Sequence, residues 1–258
     1  MTGRRSAISR AAVRNGTGAL CVLAVLGAAA PALAQAGSLR EALYNSRNET
    51  RRVAPPPAAR YVSETGVRFV FDRSQNRPLI RFEGQSEVWA LEPHSAPRGD
   101  IVYKNDLGQP VLRATKLGGM TVFTQQRPGG SAAAVAGEVS PIRLPALSPS
   151  AVLQRLTAAS AKASRAAQRL ISFEADVTAE SSALAADAAA LAADAMTRLV
   201  RRPGGKQAIS KIDKVVIDEG KKPSAHLKKG VVRITVTPDL GLAGRPSSEK
   251  IAAAAEER

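Results

Sequence analysis

From residue 61 to about 137, short runs of alternating apolar and polar positions are separated by turn residues, the pattern of antiparallel strands with one buried face. The runs are 67–72, 79–83, 87–91, 101–104, 110–115 and 120–124. In the first, Val67, Phe69 and Phe71 fall on one face and Arg68, Val70 and Asp72 on the other. Ser74-Gln75-Asn76-Arg77 and Asn105-Asp106-Leu107-Gly108 supply turns, the second with a glycine for the positive φ that closes a hairpin. Gly118-Gly119 and Gly129-Gly130 also read as turn residues. The pattern predicts a small antiparallel β-sheet module over 61–140, curled into a small barrel or packed under a helix.

Pro141, Pro145 and Pro149 then mark an extended connection. Beyond it Val152, Leu156, Ala159, Ala163 and Leu170 recur at helical spacing to about residue 171, with Ser148 or Ser150 placed to cap the helix. A second helix, about 178–200, carries a seven-residue period in which Leu184 and Leu191 share one stripe and Glu180, Asp187 and Asp194 another. Its alanines permit close approach, so residues 141–202 are expected to form an Ala-rich antiparallel helical hairpin, whose surface could also receive a protein partner. Pro203-Gly204-Gly205 stops the second helix. The stretches 214–218 and 231–237 alternate again as a C-terminal β-hairpin, and a short Ala-rich helix over about 248–257 closes the segment 203–258. The expected fold class is α+β, with the relation between hairpin and first sheet left open.

The first residues differ in texture. Arg4, Arg5, Arg10 and Arg14 precede an apolar run, 19–30, and then Ala32-Leu33-Ala34, the order of a secretory signal peptide over 1–34 cleaved after Ala34 or Ala36. The run is shorter than the roughly 20 residues of a spanning helix. Arg4-Arg5 leaves Sec and twin-arginine export both open. Residues 35–60, ending on Pro55-Pro56-Pro57, read as a Pro-rich tether. A periplasmic address is expected. Cys21 is the only cysteine and lies in the signal, so the mature chain is expected to hold no disulfide, thiolate nucleophile or Cys-ligated metal. No stretch of the mature chain has transmembrane length.

Charge adds a location. The formal net charge is +15, and most of what remains after the signal concentrates in 201–233. There Lys206, Lys211, Lys214, Lys221, Lys222, Lys228 and Lys229, with Arg201 and Arg202, surround the C-terminal strands. Two readings apply: edge lysines that keep a hairpin from pairing with other chains, or a contact surface for anionic lipid, lipopolysaccharide or an acidic polymer. Nucleic acid is disfavoured because no aromatic platform interleaves the lysines.

Candidate chemistry is sparse. His94, with Asp100 six residues on, invites a hydrolase reading, and Glu83, Glu87 and Glu92 could supply paired carboxylates; an exposed loop position for His94 and solvated strand ends for the three glutamates account for them better. With two histidines in the chain, His94 and His226, no multi-His metal site can form. Ser247-Ser248-Glu249-Lys250 matches S-x-x-K without the companion motifs, and helix capping explains Ser247 better. Trp89 reads as an anchor of the sheet core or as a sugar-stacking platform. Arg98-Gly99-Asp100 reads as a turn leading into a strand. No cofactor motif is present.

The stretch Tyr61-Val62-Ser63-Glu64-Thr65-Gly66-Val67-Arg68-Phe69 resembles an exported alphaproteobacterial family catalogued as domain of unknown function 4908. So do Arg98-Gly99-Asp100 with Tyr103-Lys104-Asn105-Asp106-Leu107-Gly108, Leu117-Gly118-Gly119-Met120-Thr121-Val122-Phe123, and Gly244-Arg245-Pro246-Ser247-Ser248. The resemblance implies a bacterial periplasmic address and carries no catalytic residue. The expected function is a non-enzymatic cell-envelope binding or structural role with a basic contact surface; the alternative is an envelope hydrolase working through His94 and nearby carboxylates.

Overall fold

A computed structural model describes residues 56–256; the expected signal peptide and most of the expected tether lie outside the described residues. The alternating segments build a nine-stranded sheet. Its strands are β1 (Ala58–Ser63), β2 (Arg68–Asp72), β3 (Leu79–Phe82), β4 (Trp89–Ala90), β5 (Glu92–Ala96), β6 (Asp100–Lys104), β7 (Pro110–Ala114), β8 (Met120–Thr124) and β9 (Arg127–Glu138). All pairings are antiparallel, and β9 returns to pair with β1, giving the order β4-β3-β2-β1-β9-β8-β7-β6-β5. The two edge strands are consecutive in the chain, joined through the fully buried Leu91. One half of that stretch pairs with β3 and the other with β6. The expected small module is therefore a larger, nearly closed barrel.

Closure needs strands that local pattern did not reveal. Strand β1 takes residues assigned to the tether, and the Pro57 carbonyl accepts the Arg73 N–H at 2.6 Å, so the module starts earlier than residue 61. Gly129 and Gly130 are not turn residues; they lie inside β9, where the pairing with β8 shifts register. A Cβ on Gly130 would meet the Thr121 side chain at 2.5 Å, which explains a glycine within a strand.

The alternation fills the barrel. Tyr61, Phe69, Phe71, Ile80, Tyr103, Leu112 and Val122 face inward and are buried together. The Tyr61 ring stacks on Phe69 at 5.3 Å between centroids, and Phe71 meets Tyr103 edge-on at 5.0 Å. Full burial of one such ring contributes about 2–3 kcal/mol. Burial also raises the Tyr61 hydroxyl above its ordinary pKa, against a smaller opposing effect of Arg73. On the outside, Leu79 and Val88 pack against Ile142, Leu242 and Ala243.

The second part contains α1 (Pro149–Ala167), β10 (Ser172–Asp176), α2 (Ser182–Leu199), α3 (Gly205–Ile209), β11 (Lys214–Glu219), β12 (Ser224–Lys228), β13 (Val231–Val236) and α4 (Ser248–Glu256). Ser148 caps α1, its hydroxyl accepting the Ala151 N–H at 3.3 Å. The strands form a separate four-stranded sheet in the order β10-β11-β13-β12. The stretches expected to form the hairpin, β11 and β13, pair in parallel; the hairpin is β12–β13. Its turn, Lys229-Gly230, has φ of 49° and 80°, the left-handed pair that matches strand twist.

The two helices pack against each other but are not an antiparallel hairpin, because β10 lies between them. The Ile171 N–H, at the start of β10, is held by Ser164 near the end of α1. Helix α2 begins at the far end of the sheet, where Ser181 and Thr178 meet Glu219. The strand thus carries the chain back, so α1 and α2 run in the same sense. Helix α2 is the centre of this core: Ala185, Ala188, Ala189, Ala192 and Ala193 are fully buried over Val215, Ile217, Val232 and Ile234. Helix α2 is mostly enclosed, with Ala190 exposed. Asp187 and Asp194, expected on one acidic stripe, are paired with Arg245 and Lys162.

Candidate functional site

An up-and-down barrel collects alternate turns at one end, here the turns following β1, β3, β6 and β8. Each is fixed locally. The Ser63 hydroxyl accepts the Val67 N–H at 3.0 Å, and the Asn105 side chain accepts the Leu107 and Gln109 N–H groups at 3.1 and 2.9 Å. Together with the C-terminal half of α2 they border an open cleft of about 1250 Å³. Trp89, Phe82 and Phe123 supply aromatic surface to its wall, and Gln85, Gln125 and Gln126 supply side-chain amides. The Trp89 indole meets Phe82 edge-on at 6.1 Å. Its N–H is buried and has no acceptor among the described residues.

A polar junction adjoins the cleft and shares Glu87 and Arg198 with its wall. The Glu87 carboxylate accepts the Ser248 N–H at 2.8 Å and the Ser248 hydroxyl, and pairs with Arg198 at 3.3 Å. Asp106, in a barrel turn, accepts both the N–H and the hydroxyl of Ser247 at 2.7 Å. Arg245, with 2% of its side chain exposed, pairs with Asp187 and donates to the Val88 carbonyl at 3.1 Å. The Gly244-Arg245-Pro246-Ser247-Ser248 segment thereby clasps barrel turns to α2. Sequence patterning could not have found this junction, since its members are far apart in the chain and no local pattern links Glu87, Asp106 and Asp187 to the 244–248 segment.

The expected catalytic residues are not brought together. His94 is exposed on β5 opposite Val102. Asp100 is committed to Arg113, at 2.9 Å from Nε, and to the Lys116 N–H; these bonds, the Arg113 bond foremost, hold its carboxyl below the ordinary range. Glu83 pairs with Arg68 and Glu92 with Arg77, both at the surface. Glu87, with both oxygens engaged by Ser248, is placed to hold structure. The Ser247 hydroxyl accepts the Lys250 N–H at 3.0 Å, so the S-x-x-K match is a helix cap. Arg98 and Gly99 form the left-handed turn into β6. His226 is exposed opposite Arg233 on β12. Among the described residues no three His, Cys, Asp or Glu side chains converge as a metal site.

The seven lysines do not form one surface. Lys206 on α3, Lys211, Lys228 at the end of β12 and Lys229 in the following turn lie at one end of the sheet, where the Asp213 and Lys214 N–H groups both bond the Gly230 carbonyl. Lys221 and Lys222 lie in the β11–β12 turn at the opposite end. Lys214 is paired with Glu174 at 2.6 Å.

The fold and its junction define a two-part α+β protein: a nearly closed antiparallel barrel clasped to a helix-covered mixed sheet. The model of the family described as domain of unknown function DUF4908 matches residues 38–255. The chain belongs to that family. No curated protein and no solved structure matches it. No helix among the described residues is long and apolar enough to cross a membrane.

Proposed function

We propose that the protein is an exported, periplasmic, non-enzymatic component that attaches peripherally to an anionic envelope surface through one end of its α/β part. The observation that carries this reading is the clustering of Lys206, Lys211, Lys228 and Lys229, all exposed and without an ion-pair partner among the described residues. Unpaired lysines on adjacent turns keep their full charge for a polyanion, whereas the Lys214–Glu174 pair cancels its own. Each lysine near such a surface contributes about 1 kcal/mol, reduced by salt.

The reading is tested with vesicles of phosphatidylglycerol and of phosphatidylcholine. Binding to the anionic vesicles is expected at low salt, with a Lys211→Gln, Lys228→Gln, Lys229→Gln variant weakened about a hundredfold. A Lys221→Gln, Lys222→Gln variant at the other end is expected to bind much as the parent does. Equal binding to both vesicles, or equal loss in the two variants, would defeat the proposal.

A further inference from the structure

The barrel-mouth cleft is separate from the lysine cluster and has a different chemistry. Its charged wall residues are largely neutralised in place: Arg68 pairs with Glu83, Arg198 with Glu87, Arg202 with Glu256 and Asp194 with Lys162. Glu249, also in the wall, has no cationic partner among the described residues. No uncommitted cation therefore waits for an anionic ligand, and the local balance is slightly negative.

What the wall does offer is uncharged. The amides of Gln85, Gln125 and Gln126 are exposed and make no side-chain hydrogen bond among the described residues, and each can donate and accept. Phe82, Phe123 and Trp89 give flat apolar faces beside them. The Trp89 N–H is a donor with no acceptor, and a buried donor left unpaired costs about 1–3 kcal/mol. That N–H is enclosed, so it is not itself a contact for a ligand in the cleft. A volume of about 1250 Å³ with an open side suits a length of chain rather than one enclosed small molecule.

We propose that this cleft binds an uncharged oligosaccharide, its sugar faces against the aromatic wall and its hydroxyls on the glutamine amides. Apolar rings flanked by bifunctional amides match the alternation of C–H faces and hydroxyl edges in a sugar chain. An anionic polymer would find no free cation there, and an acyl chain would leave the amides dry.

Trp89 is the only tryptophan in the chain, so its emission reports on the cleft directly. The mature protein is titrated with cellotetraose and with tetra-N-acetylchitotetraose, and tetragalacturonate serves as the anionic counterpart. Saturation-transfer NMR on the same samples detects binding that leaves the emission unchanged. Saturable binding of at least one neutral tetramer is expected, weakened about tenfold in a Gln85→Ala, Gln126→Ala variant, since each lost amide bond is worth roughly 0.5–1.5 kcal/mol. Circular dichroism of that variant confirms that it is folded. The lysine variants used for vesicles are expected to bind sugar unchanged, which separates the two proposals. No binding by either readout up to about 10 mM, an affinity too weak to matter, overturns the proposal. So does stronger binding of tetragalacturonate than of the neutral tetramers, or binding unaffected in the folded glutamine variant.

Discussion

The guanidinium of Arg245, almost wholly enclosed, is paired with Asp187 in the middle of α2 while its other arm donates to the Val88 carbonyl of a barrel loop. One side chain thus joins the last loop of the chain, the central helix and the barrel. Removing one partner of such a pair leaves the other charge without compensation. Arg245→Met is expected to lower unfolding free energy by about 3 kcal/mol, at the low end for a buried pair because Asp187 keeps some exposure. Urea denaturation of the single variants and of Arg245→Met with Asp187→Asn measures the coupling. Additive effects would show that the pair is not coupled.

Glu219 gives stability an acid dependence. Its carboxylate accepts the Ser181 hydroxyl and the Thr178 N–H and hydroxyl, the latter two at 2.6 and 2.8 Å, and these bonds, Ser181 first, hold it below the ordinary glutamate value of 4.5. A depressed folded-state pKa stabilises fully above the unfolded value and the contribution is lost as pH falls through the folded one. Glu219→Gln is expected to melt lower than the parent at neutral pH, with the difference closing below the ordinary value of 4.5. Thermal melts across that range check it; a gap independent of pH would count against the assignment.

Adjacent glycines after α2 are required for different reasons. Gly204 has φ of +74° with open space around it, whereas a Cβ on Gly205 would lie 1.7 Å from the Leu199 carbonyl oxygen. Gly204→Ala is expected to cost about 1–2 kcal/mol for the left-handed backbone. Gly205→Ala should cost more, about 3 kcal/mol, since backbone must move. Chemical denaturation ranks the two, and the reverse order would contradict the packing.

On α2, position decides whether a larger side chain is tolerated. Ala192 is fully buried against the sheet and neighbouring helices, while Ala190 is exposed. Ala192→Leu is expected to lose about 1–3 kcal/mol through overpacking. Ala190→Leu should stay within about 0.5 kcal/mol, as leucine is nearly as good a helix former. Comparable melting temperatures for the two variants would refute the enclosed position of this helix.

The alternation of Val67, Phe69 and Phe71 and the apolar runs in 110–115 and 120–124 determined β2, β7 and β8, because each strand turns apolar side chains such as Phe69, Phe71, Leu112 and Val122 into the barrel core. Ser148 or Ser150 likewise marked the start of α1, the structure taking Ser148, and the heptad of Leu184 and Leu191 marked α2. Strands β5 and β9 were not legible: Glu92–Ala96 and the Gly- and Ala-rich Arg127–Glu138 have little intrinsic strand preference, and β5 is held by β6 alone while β9 is held between β1 and β8. Strand β10 was hidden between two strong helices, and missing it turned parallel helices into an apparent hairpin. Likewise, local pattern showed that Asp187 and Asp194 share a stripe with Glu180, but only the return of Arg245 to α2 and the packing of Lys162 gave two of those acids their partners. Composition placed the lysines in one segment; the sheet order split them between two ends. Tertiary structure decided these points because barrel closure, ion pairing and surface clustering depend on residues distant in sequence, whose proximity no local period encodes.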